Sequence, residues 1–343
     1  MKPLRVRKDK CNCETMTLSV GLTLALFSAH CILAEKSSAA EHLEMTEVEC
    51  GPSNKSATLA HVGFKKGSAF QQRITVCFDK EGEQSYFANH TIDGRELAEK
   101  REKSGGGGDS SEERPSDFED DFGLFNQSSP GEAFKLDAQR KTLSNLLGAR
   151  EAKRVLKKSS SFLARGHLAP DADFPDEEGR DATYTFLNVA PQWQAFNNGE
   201  WKSVEGAVRD YANKSKHRVE VFTGIHGTLA LKSEKEGGEA ELYLAKGKGC
   251  KTYMAVPENF WKILHDPEEK EAVVFVGLNV PESQNNLTSD ALCPDRCPSA
   301  GWSLGERNSS SSALYCCSYA DFAKSVSWVP AIGNKHPGLL QSL

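Results

Sequence analysis

The sequence predicts an α+β fold, and three observations support this. Short segments of strand character are interspersed with a few helical ones, without the regular strand–helix–strand alternation of a parallel sheet. No internal repeat is visible. The chain has 343 residues, 38% of them hydrophobic and 26% charged, which allows a sizeable core of ordinary composition.

Taken in order, Lys2, Arg5, Arg7, Lys8 and Lys10 precede an apolar run from Leu18 to Ala34, and small residues follow at Ala39 and Ala40. This is the order of a secretory signal, assigned to 1–34, with cleavage open between Ala34 and Ala40. An uncleaved anchor is the rival, because the run approaches the roughly 18 residues of a span. Ser28 and His30 interrupt it. A secreted, extracellular protein is therefore expected. Sequons at Asn54, Asn89, Asn126, Asn213, Asn286 and Asn308 agree with a glycosylated surface. Beyond the leader stand Cys50, Cys77, Cys250, Cys293, Cys297, Cys316 and Cys317, an odd set in which disulfides are expected and Cys50–Cys77 is the simplest pair. Adjacent Cys316 and Cys317 do not suit one zinc ion.

Residues 41–98 read as an N-terminal β module, with partial alternation in Ala69–Phe78 and Glu83–Thr91. Residues 99–132 are rich in Gly, Ser and acids and read as a flexible insertion. The main domain is placed at 133–290. It has helical spacing over Leu136–Lys158, with Leu143, Leu146, Leu147 and Val155 on one side, and again over Asn197–Tyr211, with Trp201, Val204 and Val208 inward. Strand character appears at Phe162–Leu168, Thr183–Val189, Val219–Phe222, Glu241–Tyr243, Thr252–Val256 and Ala272–Val276, and a short helix is expected at Asn259–Leu264. A Cys- and Ser-rich extension, 291–343, is expected to pack on the domain.

The net charge is −6 but segregated. Arg140, Lys141, Arg150, Lys153, Arg154, Lys157, Lys158 and Arg165 stand against Glu151 alone, whereas 109–121 is acidic. A local positive field is compatible with that total. Two segments then carry chemistry. One ends in Arg165-Gly166-His167; the other sets Asn197 at the start of a helix with Glu205 two turns on, about 12 Å along the axis. An imidazole suits proton abstraction from water near neutral pH. An amide oxygen suits hard Mg²⁺, which keeps several waters. Glu205 is too distant to share one ion directly with Asn197 and reads as a carboxylate orienting metal-bound water. Arg209, at i+4, is placed to pair with Glu205.

ARGH, with an asparagine thirty residues after its histidine inside NVAPQ-x₄-N-x-G-x-W-x₃-E, resembles the DNA/RNA non-specific endonucleases of the ββα-metal (His-Me finger) fold. The arthropod salivary branch is similar in the extended ARGHLAPDADF; RPSDF at 114–118, TGIHG at 223–227 and FWKILHD at 260–266 extend the likeness over roughly residues 110–280. The resemblance implies a ββα core on a mixed, mainly antiparallel sheet. It implies hydrolysis of DNA and RNA phosphodiester bonds with Mg²⁺, or Mn²⁺ in its place, leaving 5′-phosphate ends. It implies His167 as general base, Asn197 as metal ligand, Asn188 as a residue that sets the geometry, Glu205 at the metal's water shell and Arg165 on phosphate. Arg114, Arg209, Lys157 and Lys158 are the expected substrate contacts. The chain departs from the family in having Ala164 where many members have Asp. A nucleic-acid-binding scavenger on the same fold is the alternative, and a surface adhesion module the weaker third.

Other residues carry structural readings. Trp193, Trp201 and Trp261 are expected in the core, and His226 and His265 as structural histidines. Gly105–Gly108 lacks the Lys-Ser/Thr of a phosphate cradle. Asp171, Asp173 and Asp176 lack the Gly and Glu of a Ca²⁺ loop. Ser160 and Ser161 lack a nucleophile elbow.

Overall fold

The computed structural model describes residues 42–103, 117–118, 123–157, 161–235, 237–247, 251–282, 290–304, 314–333 and 336–343. The expected leader, Arg114, Lys158, Ser160, Cys250, Asn286 and Asn308 lie outside them, as do Gly105–Gly108. In chain order the strands are β1 (His42–Cys50), β2 (Ala57–Lys66), β3 (Ala69–Asp79), β4 (Gln84–Asp93), β5 (Leu163–His167), β6 (Val189–Trp193), β7 (Arg218–His226), β8 (Ala230–Ser233), β9 (Gly238–Glu241), β10 (Tyr243–Lys246), β11 (Thr252–Ala255), β12 (Asn259–Asp266), β13 (Glu271–Leu278), β14 (Leu314–Cys317) and β15 (Gly338–Leu339). The helices are α1 (Gly94–Lys103), α2 (Pro130–Ala133), α3 (Leu136–Leu147), α4 (Ala149–Val155), α5 (Glu177–Asp181), α6 (Gln194–Phe196), α7 (Lys202–Ser215), α8 (Cys297–Ala300) and α9 (Tyr319–Ser325).

A nine-stranded sheet runs β1-β2-β3-β4-β7-β12-β13-β14, with β15 beside β13. All pairings are antiparallel except β13 with β15. The strands expected as an N-terminal β module therefore supply four of the nine strands of one continuous sheet. β4 pairs with β7 from Phe87↔Gly224 to Asp93↔Arg218, and the boundary expected at residue 98 falls inside α1. The C-terminal extension adds β14 to the opposite edge. The disulfides Cys293–Cys317 and Cys297–Cys316 fasten it, and Cys50–Cys77 joins β1 to β3. Asn89 lies within β4 and its amide donates to the Val221 carbonyl, so this sequon is part of the sheet rather than of an open surface.

The stretch Asn259–Leu264, expected as a short helix, is instead β12, and all of its residues are buried. A strand with neighbours on both sides and layers on both faces needs apolar residues at consecutive positions, so its sequence shows no alternation. Phe260 packs on Trp201 and Phe196 on one face. On the other, Trp261 meets Phe322 of α9 and Trp328. Thr183–Val189 is likewise not a strand: it passes through a 3-10 turn, Phe186–Asn188, before β6 begins. Leu136–Lys158 divides into α3 and α4 at Gly148, whose φ of 92° ends the first helix.

β5 and β6 form a separate antiparallel pair, with His167 opposite Val189, and the chain continues through α6 and a distorted turn into α7. This is a ββα unit. Its attachment to the sheet runs through Asn279, at the end of β13 and fully buried. The Asn279 Oδ1 accepts from the Trp193 backbone N–H at 2.8 Å, and its amide nitrogen donates to the carbonyls of Pro191 (3.1 Å) and Pro257 (2.9 Å). Replacing Asn279 with Ala leaves those backbone groups buried without partners, so Asn279→Ala is expected to lose about 2–4 kcal/mol of stability in urea unfolding. A loss under about 0.5 kcal/mol, the range of ordinary surface substitutions, would contradict this role.

Candidate functional site

β5 delivers Arg165 and His167 to one face, two residues apart, as strand alternation requires. Gly166 between them faces Gln192 of β6. A Cβ there would lie 2.4 Å from the Gln192 Oε1 and 3.0 Å from the Ala190 carbonyl, so the hairpin closes only with glycine. His167 is half-buried in an aromatic corner. Phe118 lies 5.0 Å from its ring centroid, and Tyr184 meets it edge-on at 5.3 Å. The Arg165 guanidinium lies over Phe118 and Phe186, at 5.3 and 5.5 Å, and 3.8 Å from Asp117. The segment carrying Arg114–Phe118 in sequence thus brings its Asp117 and Phe118 directly to the Arg165–His167 strand.

Asn188 is fully buried and binds the chain just after His167. Its Oδ1 accepts from the Ala169 N–H, its amide nitrogen donates to the Ala169 and Thr183 carbonyls, and its own carbonyl accepts from the Leu168 N–H. These bonds fix the path by which the backbone leaves His167. Asn197 is half-buried in the turn before α7, where Gly199 (φ −103°, ψ −107°) departs from helical geometry. Glu205 follows, half-buried on α7, and Trp201, Val204 and Val208 pack inward as the spacing implies.

The return segment and α7 are joined by charge. Asp173, in a 3-10 turn six residues after His167, is buried and accepts from the Arg209 guanidinium at 2.9 Å and from the His90 Nε2 of β4 at 2.8 Å. Arg209 is therefore placed differently from its expected phosphate contact. Its side chain is only 15% exposed and its guanidinium is held internally by Asp173 rather than by Glu205 at i+4. Burial favours the neutral form of Asp173, but the His90 hydrogen bond and the Arg209 charge outweigh it and hold the carboxyl below the usual range. Burial pushes His90 down, so its imidazole is neutral.

Lys262 enters the same region from β12. It is fully buried, donates to the Thr223 Oγ1 and lies 5.9 Å from the Trp201 ring centroid. Burial lowers its pKa, opposed by the charges of Glu205 and Asp173. Glu205 responds in the opposite sense: burial pushes its carboxyl up to about 7, with Lys262 the main opposing charge. No sequence pattern joins Lys262, His90 and Asp173 to this site. Lys262 lies in a mostly apolar stretch without strand alternation, His90 in an alternating strand, and Asp173 among acids whose spacing suggests at most a Ca²⁺ loop. Asp171 and Asp176 are also committed locally, to the Tyr184 hydroxyl and to the cap of α5 with Arg73.

Lys157 is exposed beside Arg140 and Lys153 on a groove between α3 and α4, with Leu156 and Ala152 in its floor. Gln139 of α3 connects this helical pair to β5 by accepting from the Leu163 N–H and donating to the Leu163 carbonyl, both at 2.8 Å. The start of β5 is thus tied to α3, while His167 ends the strand. Trp193, Trp201 and Trp261 are buried in the core, and His265 is held by Glu220 at 2.8 Å.

The sequence profile of the DNA/RNA non-specific endonucleases matches residues 55–303. A protein described as a salivary endonuclease from Lutzomyia longipalpis is 31% identical over 316 residues, covering 91% of this chain and 69% of that protein. A salivary endonuclease from Culex quinquefasciatus is 28% identical, over 48% of this chain and 43% of its own length. Salivary protein Tsal1 of Glossina morsitans morsitans is 29% identical, over 49% of this chain and 40% of that protein. A solved chain from an EndoG/EndoGI complex superposes at a TM-score of 0.41 with 16% identity, covering 78% of this chain and 84% of that one. With the family profile spanning most of its length and the ββα unit at its centre, this chain belongs to the DNA/RNA non-specific endonuclease family.

Proposed function

We infer that the protein is a secreted, Mg²⁺-dependent endonuclease that hydrolyses DNA and RNA phosphodiester bonds with little sequence preference and leaves 5′-phosphate ends. The observation that carries this reading is the 2.9 Å ion pair between Asp173 and Arg209. It bonds the segment leaving His167 to the helix that carries Glu205 and follows Asn197. The donors present suit a hard cation. They are an amide oxygen and a carboxylate, and the described cysteines are held in disulfides. Asn197 would hold Mg²⁺ or Mn²⁺, which when bound supplies charge stabilisation for the phosphorane and the departing 3′-oxygen.

His167 takes a proton from the attacking water, with Phe118 and Tyr184 restricting its ring. Asn188 keeps the backbone after His167 in register. Arg165 faces a phosphate oxygen, its guanidinium stacked on Phe118 and Phe186. Glu205 accepts hydrogen bonds from water near Asn197. Lys157, and with it Lys158 and Arg114 from outside the described residues, neutralise flanking phosphates. Such contacts carry no sequence information. The basic and apolar leader, together with the salivary names of the relatives, supports secretion. Among the described residues no helix is long and apolar enough to cross a membrane.

His167→Ala is expected to lower the rate of plasmid cleavage in Mg²⁺ by at least about 10²-fold, with EDTA abolishing cleavage by the parent. Equal rates would overturn the assignment of His167, and retained binding without cleavage by the parent would favour a scavenger. Glu205 gives a second test, in metal-free protein. Its folded pKa of about 7 lies above its ordinary value of 4.5, so its contribution to stability is complete below about 4.5 and is lost as pH rises through 7. The Tm of the parent is therefore expected to fall relative to that of Glu205→Gln between those values. A Tm difference that does not change with pH would refute the burial argument. Lys157→Gln is expected to reduce the slope of log Kd against log salt for DNA in EDTA by about one, the share of a single phosphate contact. An unchanged slope would remove Lys157 from the substrate track.

A further inference from the structure

Four formal charges meet beneath the site, on elements distant in sequence. Asp173 lies on the return from His167, Arg209 and Glu205 on α7, and Lys262 on β12. Above about pH 7, with Asp173 and Glu205 negative and Arg209 and Lys262 positive, they sum to zero. A buried cluster of ions is tolerable only when compensated in this way. His90 joins without adding charge: its neutral ring donates from Nε2 to Asp173 and packs on Phe174, 5.3 Å between centroids. Asp173 therefore has one partner on the central sheet and one on the helix. The general base and the metal-binding helix otherwise meet across the ββα hairpin, whose connection includes the irregular turn at Gly199.

We propose that Asp173 is a positioning residue for the hydrolytic reaction, clamped between His90 and Arg209 so that the segment leaving His167 is locked to the helix bearing Glu205. The inference rests on the reading of His167 and Asn197 given above. Asp173 touches neither substrate nor metal; it fixes the spacing between the two halves that do. Loosening that spacing by about 1 Å is enough to cost a large factor in rate, because the reacting groups no longer align. Ground-state binding of DNA, carried by phosphate contacts at the surface, does not depend on it.

The test uses the full chain and reads kcat and KM on DNA in Mg²⁺, DNA Kd in EDTA, and Tm. His90→Leu removes one donor without changing charge. It is expected to lower kcat between about 10- and 100-fold, with KM and the EDTA Kd within about twofold of the parent. His90→Gln restores an N–H donor and is expected to bring kcat back to within about threefold. The paired variant Asp173→Asn/Arg209→Gln leaves no orphan charge and is expected to repeat the kcat loss. Parental kcat in a folded His90→Leu protein overturns the clamp, as does equal loss in His90→Leu and His90→Gln, or a change confined to KM. If His167→Ala were itself fully active, the assignment of His167 as general base would fail instead, and if the parent bound DNA without cleaving it the nuclease reading would fail, so these failures are separable from that of the clamp.

Discussion

A lysine buried at the centre of the sheet organises this protein. β12 has hydrogen-bonded neighbours on both sides and packed layers on both faces, yet it carries Lys262 with no access to water. An ammonium in that position must have an anion near it or lose its proton. The anions come from the ββα unit laid over that face: Glu205 on α7 and Asp173 on the return from β5. The position of the candidate site on the sheet is thus tied to charge compensation as much as to the apolar contacts of Trp201 with Phe260.

The same constraint explains how apparently ordinary residues become part of the site. His90 is one residue of a strand that pairs with β3 and β7, and its ring reaches out of the sheet to Asp173 and Phe174. Arg209 follows the buried Val208 on α7, and its guanidinium, only 15% exposed as a side chain, binds Asp173. Between them they hold the connection after His167 from two elements, β4 and α7. Asn188 does the same closer to His167, by engaging the backbone on both sides of the turn. The candidate residues themselves, His167, Asn197 and Glu205, remain half-buried.

The C-terminal extension serves the opposite face. Phe322 and Trp328 cover Trp261, and two disulfides hold the segment that supplies β14. Covering both faces lets β12 place apolar residues at consecutive positions, Phe260–Trp261 and Ile263–Leu264 on either side of Lys262, so its sequence lacks the alternation of a strand. A pattern of alternate burial identifies a strand only when one face meets solvent. The N-terminal strands were legible as strands for this reason, since β2 and β3 alternate over part of their length. Their membership in the same sheet as β7 was not legible, because β4 and β7 are joined across more than a hundred residues.

What the sequence determined by itself was local. It determined the ARGH strand, the helix after Asn197 with its buried Trp201, Val204 and Val208, and the family to which these spacings belong; Cys50–Cys77 was the simplest of the open pairings, and the structure has it. Tertiary structure alone decided which charges face one another. The spacing of Arg209 pointed to Glu205 four residues away, whereas its partner is Asp173, thirty-six residues earlier and on another element. Propensity and periodicity act over a few turns, while the cost of burying a charge is resolved by whichever opposite charge the packed chain brings within reach.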